Sequence, residues 1–476
     1  MIVLFLIILI SAVNFIQPTN ILSTDELADE YNATELPKFY IYGEVAGLKN
    51  KSEEIKISVK YESFNKSFDS YAKIKLQGSS SLSYEKKNYT IKFYKDEELS
   101  EKHKINFGWG KQYKYCLKAN WIDKTHSRNI VSARLVGDVQ KKYNLFMDAP
   151  NNGAIDGTPV EIYLNDDFLG LYTLNIPKDE WLFNLDDDNK NHFVVSAAAR
   201  NTATLFKENG DFSDWEVEAG LESKENLKRL NRLVSFVKDS SDEDFRNNIE
   251  DYFNLDALLN YYVIMEFGQF FDNVSKNLLL VTYDGKIWYP SLYDLDSTWG
   301  THWGGRRTMD YNLKMSEEGS LLWEKVARCF PNELADRYFI LRKDILNKEN
   351  VIEEFLKFNK SIPKDSFELE NQRWSNIPGF GVEQVEDFLD KRIPLVDSWF
   401  TELYTEENAV TVVYEKNIDG SITAKLKNLR KDIIVLGDDT YTFTKDGIYT
   451  FKYTNYVGDK NFIIAEATGI KYNFER

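Results

Sequence analysis

Residues 271–300 read FDNVSKNLLLVTYDGKIWYPSLYDLDSTWG, and this stretch decides the architecture. An apolar, helix-like run from Leu255, LDALLNYYVIMEFGQFF, leads into Asp272. Two strand-like pieces follow, NLLLVTYD and KIWYPSLYDLD, joined by Asp284-Gly285. That dipeptide tolerates the positive φ of a tight turn and is a strong hairpin signal. Asn277 opens the first strand, and Asp294 and Asp296 close the hairpin ahead of Trp299-Gly300. Asp294 stands between Tyr293 and Leu295, and a carboxylate entering an apolar strand end needs a cation or donors. One Asp able to orient a hydroxyl, an Asn, and a second carboxylate after a hairpin are what phosphoryl transfer requires. Asp272 would take the substrate proton, and Asn277 with Asp294 would hold a metal on the phosphates. The plain alternative is a turn rich in capping Asp and Asn. A chemical rival takes Asp294-Leu295-Asp296 as the DxD triplet with which glycosyltransferases hold a metal and a nucleotide sugar. Paired carboxylates for glycoside hydrolysis are a third reading.

Outward from this stretch the chain divides. From Leu36 the segments KFYIYGEV, EIKISVKYESF, YAKIKLQG and YTIKFYK alternate polar with apolar residues, the period of half-buried antiparallel strands. Residues 125–142 read as a helix, with Thr125 or Ser127 as cap and Val131, Leu135 and Val139 in an i, i+4 row. PVEIYLNDDFLGLYTLNI returns to strands around an Asn165-Asp166-Asp167 turn. Residues 221–270 and 320–400 are mainly helical. The tail from about 407 is short strands between turns, a separate all-β module of immunoglobulin-like size. The layout is α+β: a β-rich N-lobe (36–180), a mainly helical C-lobe (181–403) and the β module (404–476), that of a two-lobed kinase-like enzyme, with glycosyltransferases and other α+β enzymes open on layout alone.

Two further clusters carry chemistry. In LQGSSSLSYEKKNYTIKF, residues 76–93, Gly78, Ser79, Ser80 and Ser81 lie between strand-like runs. Small residues let backbone N–H groups approach an anion, and hydroxyls add donors. Lys86, Lys87 and Lys92 surround the loop, and Lys92 alternates with Ile91 and Phe93 on a strand. The plain alternative is a hairpin with solvated lysines. In KANWIDKTHSRN, residues 118–129, Asp123, Arg128 and Asn129 gather at a helix start. Arg128 opposes the macrodipole there and calls for a carboxylate or phosphate partner.

Composition bounds these readings. The 476 residues imply two or three domains, and 43% hydrophobic with 14% aromatic content excludes disorder as the dominant state. The formal charge of -17 argues against a nucleic-acid binder, because like charge repels phosphate. It suits basic protein partners or a metal-held anion. Two cysteines, Cys116 and Cys329, make neither a disulfide framework nor a cysteine-rich zinc site, though one bridge between them is open. With four histidines, a bound metal would be held by oxygen ligands, favouring Mg or Mn. Residues 2–13, IVLFLIILISAV, have the length of a signal-peptide apolar region and are short for a membrane span. The expectation is export, with residues 1–17 cleaved or kept as an anchor and 18–35 a linker; a buried first strand is the alternative.

Taken in order, the loop at 76–93, LKANWIDKTHSRN, VEIYLNDDFLGLY, DNVSKN and YDLDSTWG resemble the spore-coat protein H (CotH) kinase family across roughly residues 36–400. The resemblance implies an atypical secreted kinase moving the γ-phosphate of ATP, with Mg or Mn, to Ser or Thr of secreted or coat proteins. It implies Asp272 as the catalytic Asp, Asn277 and Asp294 as metal ligands and Asp296 as auxiliary. It implies Lys92 as phosphate lysine, with Lys87 second. Gly78 to Ser81 would cover the phosphates, and Arg128 would brace the lobe or contact phosphate. The chain departs from the pattern at Asn175, near which the family usually carries a Glu to pair with that lysine; Glu161 is the substitute within reach in sequence. The acidic charge would favour a basic, Ser-rich protein substrate. A non-catalytic member acting as adhesin or coat component is the alternative within the family.

Overall fold

A computed structural model describes residues 35–64, 66–405 and 409–470. The expected leader and the linker up to residue 34 lie outside them. Among the described residues nine α-helices and nineteen strands form a mixed α+β fold. No described helix is long and apolar enough to cross a membrane.

The first part is a barrel. Its strands are β1 (Lys38–Tyr42), β2 (Ile55–Glu62), β3 (Ser67–Gln77), β4 (Asn88–Tyr94), β7 (Lys114–Lys118), β8 (Gly157–Leu164) and β9 (Asp167–Asn175). A two-strand ribbon, β5 (Ile105–Asn106) and β6 (Lys111–Gln112), sits between β4 and β7. Alternation sends Phe39, Ile57, Ile74, Ile91, Tyr115, Ile162 and Tyr172 inward, where they form one core. The antiparallel pairing anticipated from that alternation is present, but the sheet also closes on itself in the order β1-β2-β3-β4-β7-β9-β8. Closure comes from β1, which runs antiparallel to β2 and parallel to β8, with Lys38 opposite Glu161. The one inserted helix, α1 (Arg128–Lys142), lies between β7 and β8 and is buried along most of its length. The turn at Asn165 and Asp166 takes positive φ at both residues, the requirement of a two-residue hairpin.

The second part is helical around a four-stranded sheet. Strands β10 (Phe193–Ala197), β11 (Trp215–Ala219), β12 (Leu278–Thr282) and β13 (Trp288–Leu292) run in the order β11-β10-β12-β13. After β11 come α2 (Lys224–Asp239), α3 (Asp242–Asn248) and α4 (Leu255–Gly268). Asn254 caps α4 by accepting from the Ala257 N–H, and every residue of that helix from Ala257 to Gly268 is buried. A helix apolar on all sides belongs in the middle of a core. Helices α5 (Leu321–Cys329), α6 (Pro331–Asp344), α7 (Lys348–Lys360), α8 (Lys364–Arg373) and α9 (Val382–Thr401) follow. Asp284 and Gly285 turn the β12–β13 hairpin, with the Asp284 carboxylate accepting from the N–H groups of Lys286 and Ile287.

The tail is all β. β14 (Thr411–Lys416), β15 (Ile422–Lys427) and β17 (Thr440–Phe443) form one three-stranded sheet. β16 (Ile433–Val435), β18 (Gly447–Asn455) and β19 (Lys460–Ala467) form another. Their shared core is small, centred on Leu426, Phe443 and Phe451. Tyr456 stacks on Phe339 of α6 at 5.3 Å and ties the module to the helices. Cys116 and Cys329 are both free and buried.

One buried contact clamps the helical part onto the barrel. Lys86, immediately before β4, has no exposed side-chain surface and pairs with Glu370 of α8 at 2.6 Å. Its ammonium also donates to the carbonyls of Ala119 and Leu171 and lies over the Tyr172 ring. The second Glu370 oxygen accepts from the Leu171 N–H at 2.7 Å. Gly170 leaves the room for this: a Cβ there would sit 2.7 Å from Lys86 Cε. His126 lies 3.7 Å from Glu370, but burial and the Lys86 charge push its pKa well down, so it stays neutral. Removing one partner of such a pair strands a buried charge. Glu370→Ala should therefore cost about 3–5 kcal/mol in urea unfolding, while Lys86→Met/Glu370→Leu should recover most of that loss.

Candidate functional site

The barrel and the helical part face each other across a cleft of about 610 Å³, in the range of small-molecule sites. Its roof is the Ser-rich loop. Gly78 has φ +108°, and a Cβ there would fall on the Ser81 hydroxyl, so only glycine makes this turn. A single 3-10 turn over Ser80–Ser83 follows. Ser79 and Ser80 are exposed toward the opening.

The floor is built by α4 and the hairpin. α4 ends in the left-handed Gln269, and the chain then presents Asp272 at the start of a short 3-10 turn. Asn273 donates its amide to the Tyr293 carbonyl at 2.9 Å and locks this segment to the end of β13. Past β13 the side chains alternate: Leu295 goes fully into the core while Asp294 and Asp296 line the cleft. Helix α1 pins this turn, Asn129 accepting from the Leu295 N–H at 2.9 Å and Ser132 accepting from the Trp299 indole at 2.8 Å. Asn277 and Asp294 both take positive φ, +66° and +55°. For non-glycine residues that is strain held in place by the surroundings, which is typical of working sites.

The charges interact. Lys118, at the end of β7, is 3.2 Å from Asp294 and 5.4 Å from the Tyr293 ring centre. Burial alone would depress the Lys118 pKa, but Asp294 and Tyr293 more than offset it and the net shift is upward. Asp294 lies deep yet keeps 35% of its side-chain surface open to the cleft. Its pKa is lowered, because Lys118, Lys178 and Lys276 outweigh its burial. Asp296 is the reverse: burial and then the Asp294 charge hold its carboxyl well above the usual range. Asp272 is raised too, mainly by burial, with Asp294 adding and Lys276 opposing. Tyr84, under the Ser-rich loop, faces all three carboxylates.

This repulsion fits a divalent cation. Asn277, Asp294 and Asp296 offer only oxygen donors, the set that Mg or Mn takes. Among the described residues no three His, Cys, Asp or Glu side chains form a closed cage. An open, two-carboxylate site is what Mg uses when substrate phosphates and water complete its shell.

The structure thus brings Gly78, Ser79, Ser80, Ser81, Asp272, Asn277, Asp294 and Asp296 to one cleft. Three other sequence candidates stand elsewhere. Lys92 points from the same face of β4 as Thr90, but beyond the cleft, and pairs with Glu54 at 2.9 Å. Lys87 lies behind the loop, donating to the Leu82 and Tyr84 carbonyls. Arg128 is fully buried and holds Asp123, Gln384 and the Phe380 carbonyl; of the two roles considered for it, the contacts are those of a brace. Of the lysines that line the cleft, the one paired with Asp294 is Lys118, which sequence reasoning passed over. Its signal was the one used for Asp294, a charge set among apolar residues at a strand end. Asn175 is buried with neither amide atom partnered among the described residues, packed against Gly157 and away from the cleft. Glu161 accepts from Ser366 and Tyr163 on the far side of the barrel and is not its substitute. Lys118 takes its carboxylate directly from Asp294.

An α+β protein with three carboxylates, an amide and a lysine gathered under a Gly-Ser loop falls in the class of kinase-like enzymes. Residues 74–395 match the family described as CotH kinase protein, and the chain belongs to that family. Comparison with curated proteins gave no match.

The raised Asp296 carboxyl has a stability consequence. Its folded value lies above the unfolded one of about 3.9, so metal-free folding loses stability as pH rises from near that value through the folded one. Asp296→Asn should raise the Tm of metal-free protein at pH 7 by a few degrees, with the gap closing near pH 4. Added Mg should raise the Tm of the parent more than that of the variant.

Proposed function

We propose that this chain is an exported, ATP- and metal-dependent protein kinase acting on Ser or Thr of secreted, coat or surface proteins. The observation that carries the reading is Asp272 set in one cleft with Asn277, Asp294 and Asp296, opposite the Gly78–Ser81 loop and beside Lys118. The apolar run at residues 2–13 supports export.

In this reading the loop binds the phosphates through backbone N–H groups and the Ser79 and Ser80 hydroxyls. Lys118 fixes Asp294 and adds positive charge near the transferring group. Asn277, Asp294 and Asp296 would hold Mg or Mn, which when bound offsets the phosphate charge. Asp272 accepts the proton of the acceptor hydroxyl as its oxygen bonds to the γ-phosphorus and the bond to the β-phosphate oxygen breaks. A raised Asp272 pKa makes it a better base near neutral pH.

The two carboxylates therefore separate in a test. Asp272→Asn should keep metal-dependent ATP binding, read as a Tm rise, and lose transfer from γ-labelled ATP by about 100-fold or more. Asp294→Ala should lose both. Equal binding and turnover in both variants would overturn the assignment.

A further inference from the structure

Beside Asp272 the chain forms a small projecting hairpin, residues 300–309, GTHWGGRRTM. Thr301 and Thr308 make a β-bridge, and the Met309 N–H donates to the Gly300 carbonyl at 2.8 Å. Its tip is seated on the barrel side of the cleft. Gly305 has φ +68°, and a Cβ there would lie 2.7 Å from the Ile122 carbonyl oxygen. The hairpin is thus a built element.

What it presents is unusual for this molecule. Trp303 lines the cleft mouth and is 54% exposed. Arg306 and Arg307 are exposed beyond it and do not line the cleft, so they lie out of a nucleotide's way. Among the described residues the Arg307 guanidinium meets the His302 ring, at 3.0 Å, and no carboxylate. Among the described residues Arg306 has no carboxylate within ion-pair distance, and the same holds for Lys276 on the floor next to Asp272. The nearest carboxylate along the chain, Asp310, is taken up by Asn312. A chain with a formal charge of -17 therefore places two exposed arginines without a carboxylate partner, and one open indole, on the hairpin beside Asp272.

We propose that this hairpin is the docking site for the acceptor chain, and that it selects a Ser or Thr flanked by acidic residues. This rests on the kinase reading above. Net charge pointed to basic partners, but Coulomb attraction at a site is set by charges within about a Debye length, roughly 8–10 Å, and on the exposed tip of this hairpin those are Arg306 and Arg307. Trp303 supplies apolar contact area at low entropic cost, and the two arginines read flanking carboxylates.

The test uses the full chain, Mg, a non-hydrolysable ATP analogue and two labelled Ser peptides of equal length, one flanked by Asp and Glu, the other by Lys and Arg. Fluorescence anisotropy should show the acidic peptide binding at least about fivefold tighter, with the difference shrinking in high salt. Arg306→Gln/Arg307→Gln should remove that preference, and Arg306→Lys/Arg307→Lys should restore much of it. A basic peptide bound as tightly by the parent, or a Gln variant that keeps the preference, would overturn the proposal. Replacing the analogue with γ-labelled ATP separates the two layers. Acidic peptide bound but never labelled would sink the kinase reading and leave the docking site. Label on the basic peptide without acidic preference would keep the kinase and sink the docking site.

Discussion

The contact on which the rest depends is the ammonium of Lys86 inside the Glu370 carboxylate. It joins residues 284 positions apart and carries the connection from barrel to helices with both side chains buried. Ions are costly to bury, and this pair survives because both ions are partnered: two carbonyls accept from Lys86, the Tyr172 ring covers its ammonium, and the Leu171 N–H donates to Glu370. Lys86 immediately follows the Ser-rich loop in sequence. The same pair that fixes barrel to helices therefore fixes the base of the Gly-Ser loop.

Helix α1 does the complementary work from the other side. Arg128 anchors its first turn to the α8–α9 connection, and Asn129 and Ser132 then hold the turn carrying Asp294 and Asp296. The acidic floor is repulsive within itself and backbone-strained at Asn277 and Asp294. The scaffold around it is correspondingly over-determined, and a bound cation would relieve the repulsion.

Much of this was legible in the sequence where the signal is local. The Asp284-Gly285 hairpin, the i, i+4 row of α1, the apolar run of α4 and the glycine-serine turn each follow from neighbours in the chain. So does the assembly of Asp272, Asn277, Asp294 and Asp296, which one helix end and one hairpin bring together. Alternation assigned Lys92 to a face of β4 but gave no measure of how far along that face the cleft extends. Thr90 reaches it and Lys92 does not, because the limit is set by β7 and the helical part. Lys118 was hidden for the same reason, its partner lying 176 residues away. Barrel closure was unreadable because nothing local marks β1 for a parallel partner.

That parallel partner orders events along the growing chain. β1 is the first described strand, yet its second neighbour, β8, follows more than a hundred residues later, after β2, β3, β4, β7 and the whole of α1. Until β8 arrives, one side of β1 is an open edge beside the apolar faces of Phe39 and Ile41. Contacts so distant in sequence form slowly. Of the described barrel strands β1 thus waits longest in sequence for its second neighbour, and the interval before residue 164 emerges leaves its edge open to sticking to other copies of this chain.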